Sequence, residues 1–135
     1  MVKIAILMAS ATLFLASPAA QAGLKTIQIK SIVVDRSGTY GSPQDGRDYV
    51  ESCARLQATS ATVLAWMKKA REVSHETFLQ EATVTQCSAS GTLTTVDGKS
   101  YAWKLDVGGE AVLSSPSEPS IFLLGSDLNI PDAPK

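Results

Sequence analysis

Between Leu24 and Val34 apolar and polar residues alternate and then merge into the apolar run Ile32-Val33-Val34. A period of two with β-branched enrichment predicts an opening strand. The pattern then lapses. Asp35 to Asp48 is polar and contains Gly38, Gly41, Pro43 and Gly46, which predicts a long loop. Loops longer than about 12 residues are uncommon in compact domains and are often functional. This one is read as a candidate interaction loop, with Arg36, Tyr40 and Arg47 as its contact residues, or else as a plain connector. The next periodic segment is helical. Val63, Met67, Ala70 and Val73 recur at helical spacing, while Lys68, Lys69 and Glu72 face away. Thr59 or Ser60 is placed to cap this helix and Ser74 to cap a second short turn through Leu79.

From Glu81 onward the period returns to two. A strand is expected over Glu81–Ala89, followed by a hairpin in which Gly91–Val96 meets Lys99–Leu105 across Asp97-Gly98. A two-residue turn there would set Thr94 opposite Tyr101 and Thr92 opposite Trp103. Tyr101, Trp103, Leu105 and Val107 would share the face beneath the helix. Gly108-Gly109 predicts a second tight turn into Glu110–Leu113. Ser114–Pro119 reads as a loop, Ile121–Leu124 as a short apolar strand with an open edge, and 129–135 as a loose tail. The expected fold is α+β: one main helix on an antiparallel sheet of five to six strands, forming a single domain over 23–135.

The first 22 residues change where this domain is expected to work. Lys3 precedes an apolar stretch from Ile4 to Ala16, Ser17-Pro18 breaks it, and Ala20-Gln21-Ala22 supplies small residues for cleavage between Ala22 and Gly23. That order is the pattern of a secretory signal peptide. The stretch is shorter than the ~20 apolar residues a membrane-spanning helix needs. Gly23 in place of a cysteine argues against a lipid anchor. A soluble periplasmic or secreted product, with no membrane anchor in its mature form, is therefore expected.

Export also sets the reading of the cysteines. Cys53 and Cys87 are the only two in the chain, and in an oxidising compartment they are expected to form one disulfide rather than remain free thiols. Closing a loop of that length is worth roughly 3–4 kcal/mol in the chain-entropy treatment. Of the 12 basic residues Lys3 lies in the leader, leaving 11 against 13 acidic ones, a net charge of −2. Nothing there favours nucleic acid, whose binding draws on clustered cations. The small cluster Lys68, Lys69 and Arg71 reads as a solvated helix face.

Little in the chain points to catalysis. His75 is the only histidine, and spacing supplies it with no metal-binding or catalytic partners. Ser74-His75-Glu76 are neighbours in sequence, whereas catalytic triads assemble from distant segments. Scattered acids such as Asp97, Asp106 and Glu110 could furnish a carboxylate pair for sugar hydrolysis, but at turns they are also expected for backbone reasons. Gly108-Gly109 is followed by no helix, so it does not read as a phosphate loop. Trp66, Tyr101 and Trp103 are read as core. No catalytic residue, cofactor or metal ligand is assigned.

The order Val73-Ser74-His75-Glu76, Cys87, Gly91, Asp97-Gly98, Tyr101-Ala102-Trp103 and Gly108-Gly109 resembles that of small exported proteobacterial proteins of unassigned function. The resemblance covers roughly Cys53 to Val112 and implies a Gram-negative periplasm, with no catalytic residues to transfer. The leading expectation is a non-enzymatic binding module for an envelope or secreted protein, acting as an inhibitor, immunity protein or accessory factor. The alternatives are an assembly subunit that pairs through the Ile121–Leu124 edge, and a small cell-wall hydrolase.

Overall fold

The computed structural model describes residues 27–130. The segment read as a signal peptide, with its expected Ala22/Gly23 junction, and residues 131–135 lie outside them. In chain order the elements are β1 (Ile29–Tyr40), a 3-10 turn (Pro43–Asp45), α1 (Arg47–Ala54), α2 (Ser60–Lys69), β2 (Arg71–Val73), α3 (His75–Glu81), β3 (Cys87–Thr95), β4 (Ser100–Asp106), β5 (Glu110–Ser114) and β6 (Ile121–Leu124). The fold is α+β, with one six-stranded antiparallel sheet ordered β1-β3-β4-β5-β6-β2. The described residues contain three helices rather than one main helix. None is long and apolar enough to cross a membrane.

Alternation along the strands divides the sheet into two faces. On one face Ala89, Leu93, Tyr101, Trp103, Leu105, Ala111, Leu113, Ile121 and Leu123 join Cys53, Leu56, Val63, Trp66 and Met67 in a single buried cluster. Trp66 seals one end, its indole N–H donating to the Ser126 carbonyl at 2.6 Å. On the other face α3 covers only the β6 side. His75 stacks on Phe122 at 4.7 Å and Phe78 meets the same ring at 5.1 Å.

Several elements are tied together as the sequence implies. Thr59 caps α2, its hydroxyl accepting from the Thr62 amide, and Ser74 caps α3 by accepting from Thr77. Cys53 and Cys87 form the disulfide, fastening α1 to the start of β3 with 5.6 Å between Cα atoms. Leu128 donates its amide to Val107 at 2.9 Å, and Leu128 and Ile130 pack on the core, so the tail is attached as far as Ile130.

Other expectations are corrected. Asp35–Asp48 is not a loop. β1 continues to Tyr40 through a series of bulges against β3, a 3-10 turn follows, and Arg47 opens α1. Gly38, which looks like a breaker in sequence, has φ +73 within the strand. A Cβ there would lie 2.5 Å from the Cys53 carbonyl oxygen, so the glycine lets α1 approach the strand. Ser37 completes the join, its hydroxyl donating to Leu56 O at 2.7 Å and accepting from Ala58 N at 3.0 Å. Arg36, Tyr40 and Arg47 therefore stand on a strand and a helix.

Val73 leaves the helical stripe because α2 ends at Lys69 and the chain extends into β2. β2 pairs with β6, so the expected open edge of Ile121–Leu124 is occupied at Phe122, Leu123 and Leu124. The segment before Cys87 is not strand, since β3 begins at that residue. The Asp97-Gly98 hairpin forms, but its register is shifted by one: Leu93 faces Tyr101 and Gly91 faces Trp103. Thr95 N bonds to Lys99 O and Gly98 N to Thr95 O, with Gly98 at φ +85. That is a three-residue connection with a bulged glycine, which moves the pairing by one residue relative to a two-residue turn. The shared inward face of Tyr101, Trp103, Leu105 and Val107 survives, because it depends on alternation within one strand.

Candidate functional site

Inward Trp103 and Leu105 oblige Lys104 and Asp106 to face the other way, onto the half of the sheet that α3 leaves uncovered. Asp106 lies opposite Ser88 on β3 and Glu110 on β5, so three strands align these residues in a row. Phe78 from α3 and Val84 from the link to β3 wall the row in. The result is a cavity of about 240 Å³ lined by Phe78, Val84, Gln86, Ser88, Lys104, Asp106, Glu110 and Val112.

Its two acids are not equivalent. Asp106 is buried, and its carboxylate accepts from Thr85 N at 3.0 and 3.2 Å, Thr85 Oγ1 at 2.8 Å, Gln86 N at 3.2 Å and Gly108 N at 2.8 Å. It thereby ties the α3–β3 link to the β4–β5 turn and helps hold Gln86 at a φ of 72° that non-glycine residues seldom adopt. Glu110 is the opposite case. Its Oε2 is buried without a hydrogen-bond partner. Desolvation, reinforced by the neighbouring Asp106 charge, pushes the Glu110 carboxyl up from its ordinary range, with Lys104 opposing. Sugar hydrolysis needs two carboxyl groups available to the substrate. In this row one is engaged in organising loops.

The other residues with chemical potential are accounted for structurally. Ser74 is the cap of α3 and donates its hydroxyl to Thr77 Oγ1 at 3.0 Å, while His75 stacks on Phe122, so Ser74-His75-Glu76 makes no relay. Trp66, Tyr101 and Trp103 are buried. Of the basic cluster, Lys68 and Lys69 close α2, where cations suit the helix dipole, and Arg71 reaches Glu81 at 3.4 Å. Among the described residues no group of three or more His, Cys, Asp or Glu side chains could hold a metal ion.

A second surface lies around α1. Tyr40, at the end of β1, stacks on Tyr49 with ring centroids 6.1 Å apart and planes 11° from parallel, and donates its hydroxyl to Asp45 Oδ2 at 3.1 Å. Tyr49 is 61% exposed and Val50 36%. Arg47 pairs with Glu51 at 2.8 Å on the exposed side of α1. Arg36 stands apart, opposite Ser90 and on the far side of a bulge from Tyr40. The structure thus brings together Tyr40 and the first turn of α1, which includes Arg47, and leaves Arg36 out. Tyr49 and Val50 escape the sequence reading because α1 is short and follows a segment rich in glycine and proline that reads as a loop. Tyr49, Val50, Cys53 and Ala54 at helical spacing are the available signal.

The chain matches no protein-family model, and no curated protein and no solved structure is detectably similar to it.

Proposed function

We propose that this chain is a small exported binding domain that engages a protein of the cell envelope or its surroundings through the Tyr40–Tyr49–Val50 surface. The observation that carries the reading is the stacked tyrosine pair held at the surface. Tyrosine is enriched at protein interfaces because it offers a large contact area with a polar tip. The pair is held in advance, since α1 is anchored by the Cys53–Cys87 disulfide and Tyr40 by Asp45. Ordering that precedes association lowers its entropic cost. The leader-like pattern of Met1–Ala22 and the disulfide both support export. Engagement of Asp106 by loop amides weighs against the hydrolase alternative, and the pairing of β6 with β2 weighs against assembly through that strand.

The test is a photo-cross-linking amino acid at position 49, or at the opposite-face position 92 as control, in the full chain expressed in a Gram-negative host. A single stoichiometric adduct from position 49, lost with Tyr40→Ala and retained with Glu110→Gln, is expected. Adducts of equal yield from both positions would overturn the assignment of this surface. Peptidoglycan turnover abolished by Glu110→Gln would replace the reading with the enzymatic one.

A further inference from the structure

The cavity beside α3 has no part in that reading, yet it combines groups that ordinary packing leaves unexplained. Buried polar atoms are nearly always hydrogen-bonded, and one left without a partner is destabilising. Glu110 Oε2 is such an atom. Lys104, exposed on the same row, forms no ion pair among the described residues. Phe78, Val84 and Val112 supply apolar wall between and beside them.

We propose that this cavity binds a small zwitterion of the amino-acid class. The ammonium group meets Glu110, the carboxylate turns toward Lys104, and an aliphatic body lies against Phe78, Val84 and Val112.

The charges select this class over simpler ones. A bare cation is repelled by Lys104 and a bare anion by Glu110 and the buried Asp106 carboxylate. A molecule carrying both signs satisfies each. Asp106 cannot compete for the ligand, because its oxygens already accept from the Thr85, Gln86 and Gly108 amides. Its charge nevertheless adds to the field that favours an ammonium beside Glu110. Size narrows the class further. At about 240 Å³ the cavity is small beside the ~300–1,000 Å³ of sites for drug-sized ligands, which suits a ligand of amino-acid size. The raised affinity of the Glu110 carboxyl for its proton has the same origin as the proposed binding.

The experiment titrates protein purified from cells expressing the full chain with L-leucine, followed by methyl and aromatic resonances of Val84, Val112 and Phe78. Two probes lack one charge each: 4-methylpentanoate lacks the ammonium and leucinamide lacks the carboxylate. Saturable shifts confined to these residues are expected with leucine. Charged hydrogen bonds are worth enough that 4-methylpentanoate, or leucine against Glu110→Gln, should bind at least about tenfold more weakly. Lys104→Gln should abolish the preference for leucine over leucinamide. Glu110→Gln is isosteric, and a native amide spectrum will show that the fold is retained. Absence of saturation up to the solubility of leucine, or unchanged affinity in folded Glu110→Gln, overturns the proposal. Neither result bears on the tyrosine surface, which lies on other elements.

Discussion

Replacing Asp106 with Asn tests how the β4–β5 turn and the α3–β3 link are held. The native carboxylate takes hydrogen bonds from four donors: Thr85 N, Thr85 Oγ1, Gln86 N and Gly108 N. Asn keeps the shape but has one acceptor oxygen, and its NH₂ group presents hydrogens to donors that need an acceptor. With that oxygen in the Oδ1 place, Thr85 N, Thr85 Oγ1 and Gly108 N keep a partner that is now neutral, while Gln86 N loses its acceptor and faces the NH₂ group. Hydrogen bonds to a charged group contribute roughly 1.5–3 kcal/mol each, and Thr85 and Gln86 are exposed enough for water to replace part of that. The expected loss is therefore about 3 kcal/mol, a large share of the ~5–15 kcal/mol that holds a typical domain together. For a domain of this size that corresponds to a fall in Tm of roughly 12–24 °C. Urea unfolding followed by the fluorescence of the buried Trp66 and Trp103 measures it, and an unchanged slope will show that the unfolded state is not the cause. Thr85→Val, which removes the hydroxyl's bond to Asp106 and its acceptance from Cys87 N at 3.2 Å, should cost about 1–2 kcal/mol. A loss below about 0.5 kcal/mol for Asp106→Asn, the scale of an ordinary surface change, would refute the reasoning.

Two further outcomes follow from packing and charge. Gly91→Ala would bring a methyl group within 1.9 Å of the Val33 carbonyl oxygen and 3.0 Å of the Trp103 ring. β1 must then move, and thermal unfolding should show a loss of about 2 kcal/mol or more, with the Trp103 indole N–H losing its protection as its bonds to Val33 O and Thr92 O part. For Glu110 the folded carboxyl is raised above its ordinary 4.5, so the folded state holds the proton more tightly than the unfolded one. That contribution is fully present below 4.5 and is lost as pH rises through the raised value. Urea midpoints of the native protein should fall, relative to Glu110→Gln, from the acid side of 4.5 toward neutral pH. Parallel curves would show that Glu110 is as well solvated in the fold as out of it.

What was legible in the sequence was local. Thr59 and Ser74 are caps by their own side-chain chemistry, and Asp97-Gly98 makes a hairpin because glycine accepts a positive φ. The inward row Tyr101, Trp103, Leu105, Val107 follows from alternation along one strand. The disulfide follows from two cysteines and an inferred oxidising compartment. Tertiary structure decided whatever depended on a distant partner. Gly38 and its polar neighbours look like a loop until β3 pairs with them and α1 packs across the glycine. Arg71–Val73 is strand only because β6 offers it a free edge. The hairpin register turned on a single residue of turn length, which alternation cannot report. Tyr40 meets Tyr49 only where α1 is packed beside the end of β1, and an unpartnered Glu110 Oε2 beside a saturated Asp106 exists only once three strands are aligned and Phe78 of α3 stands beside them. Local conformational preferences are written residue by residue. Burial and hydrogen-bond satisfaction, which single out both surfaces, belong to segments far apart in the chain.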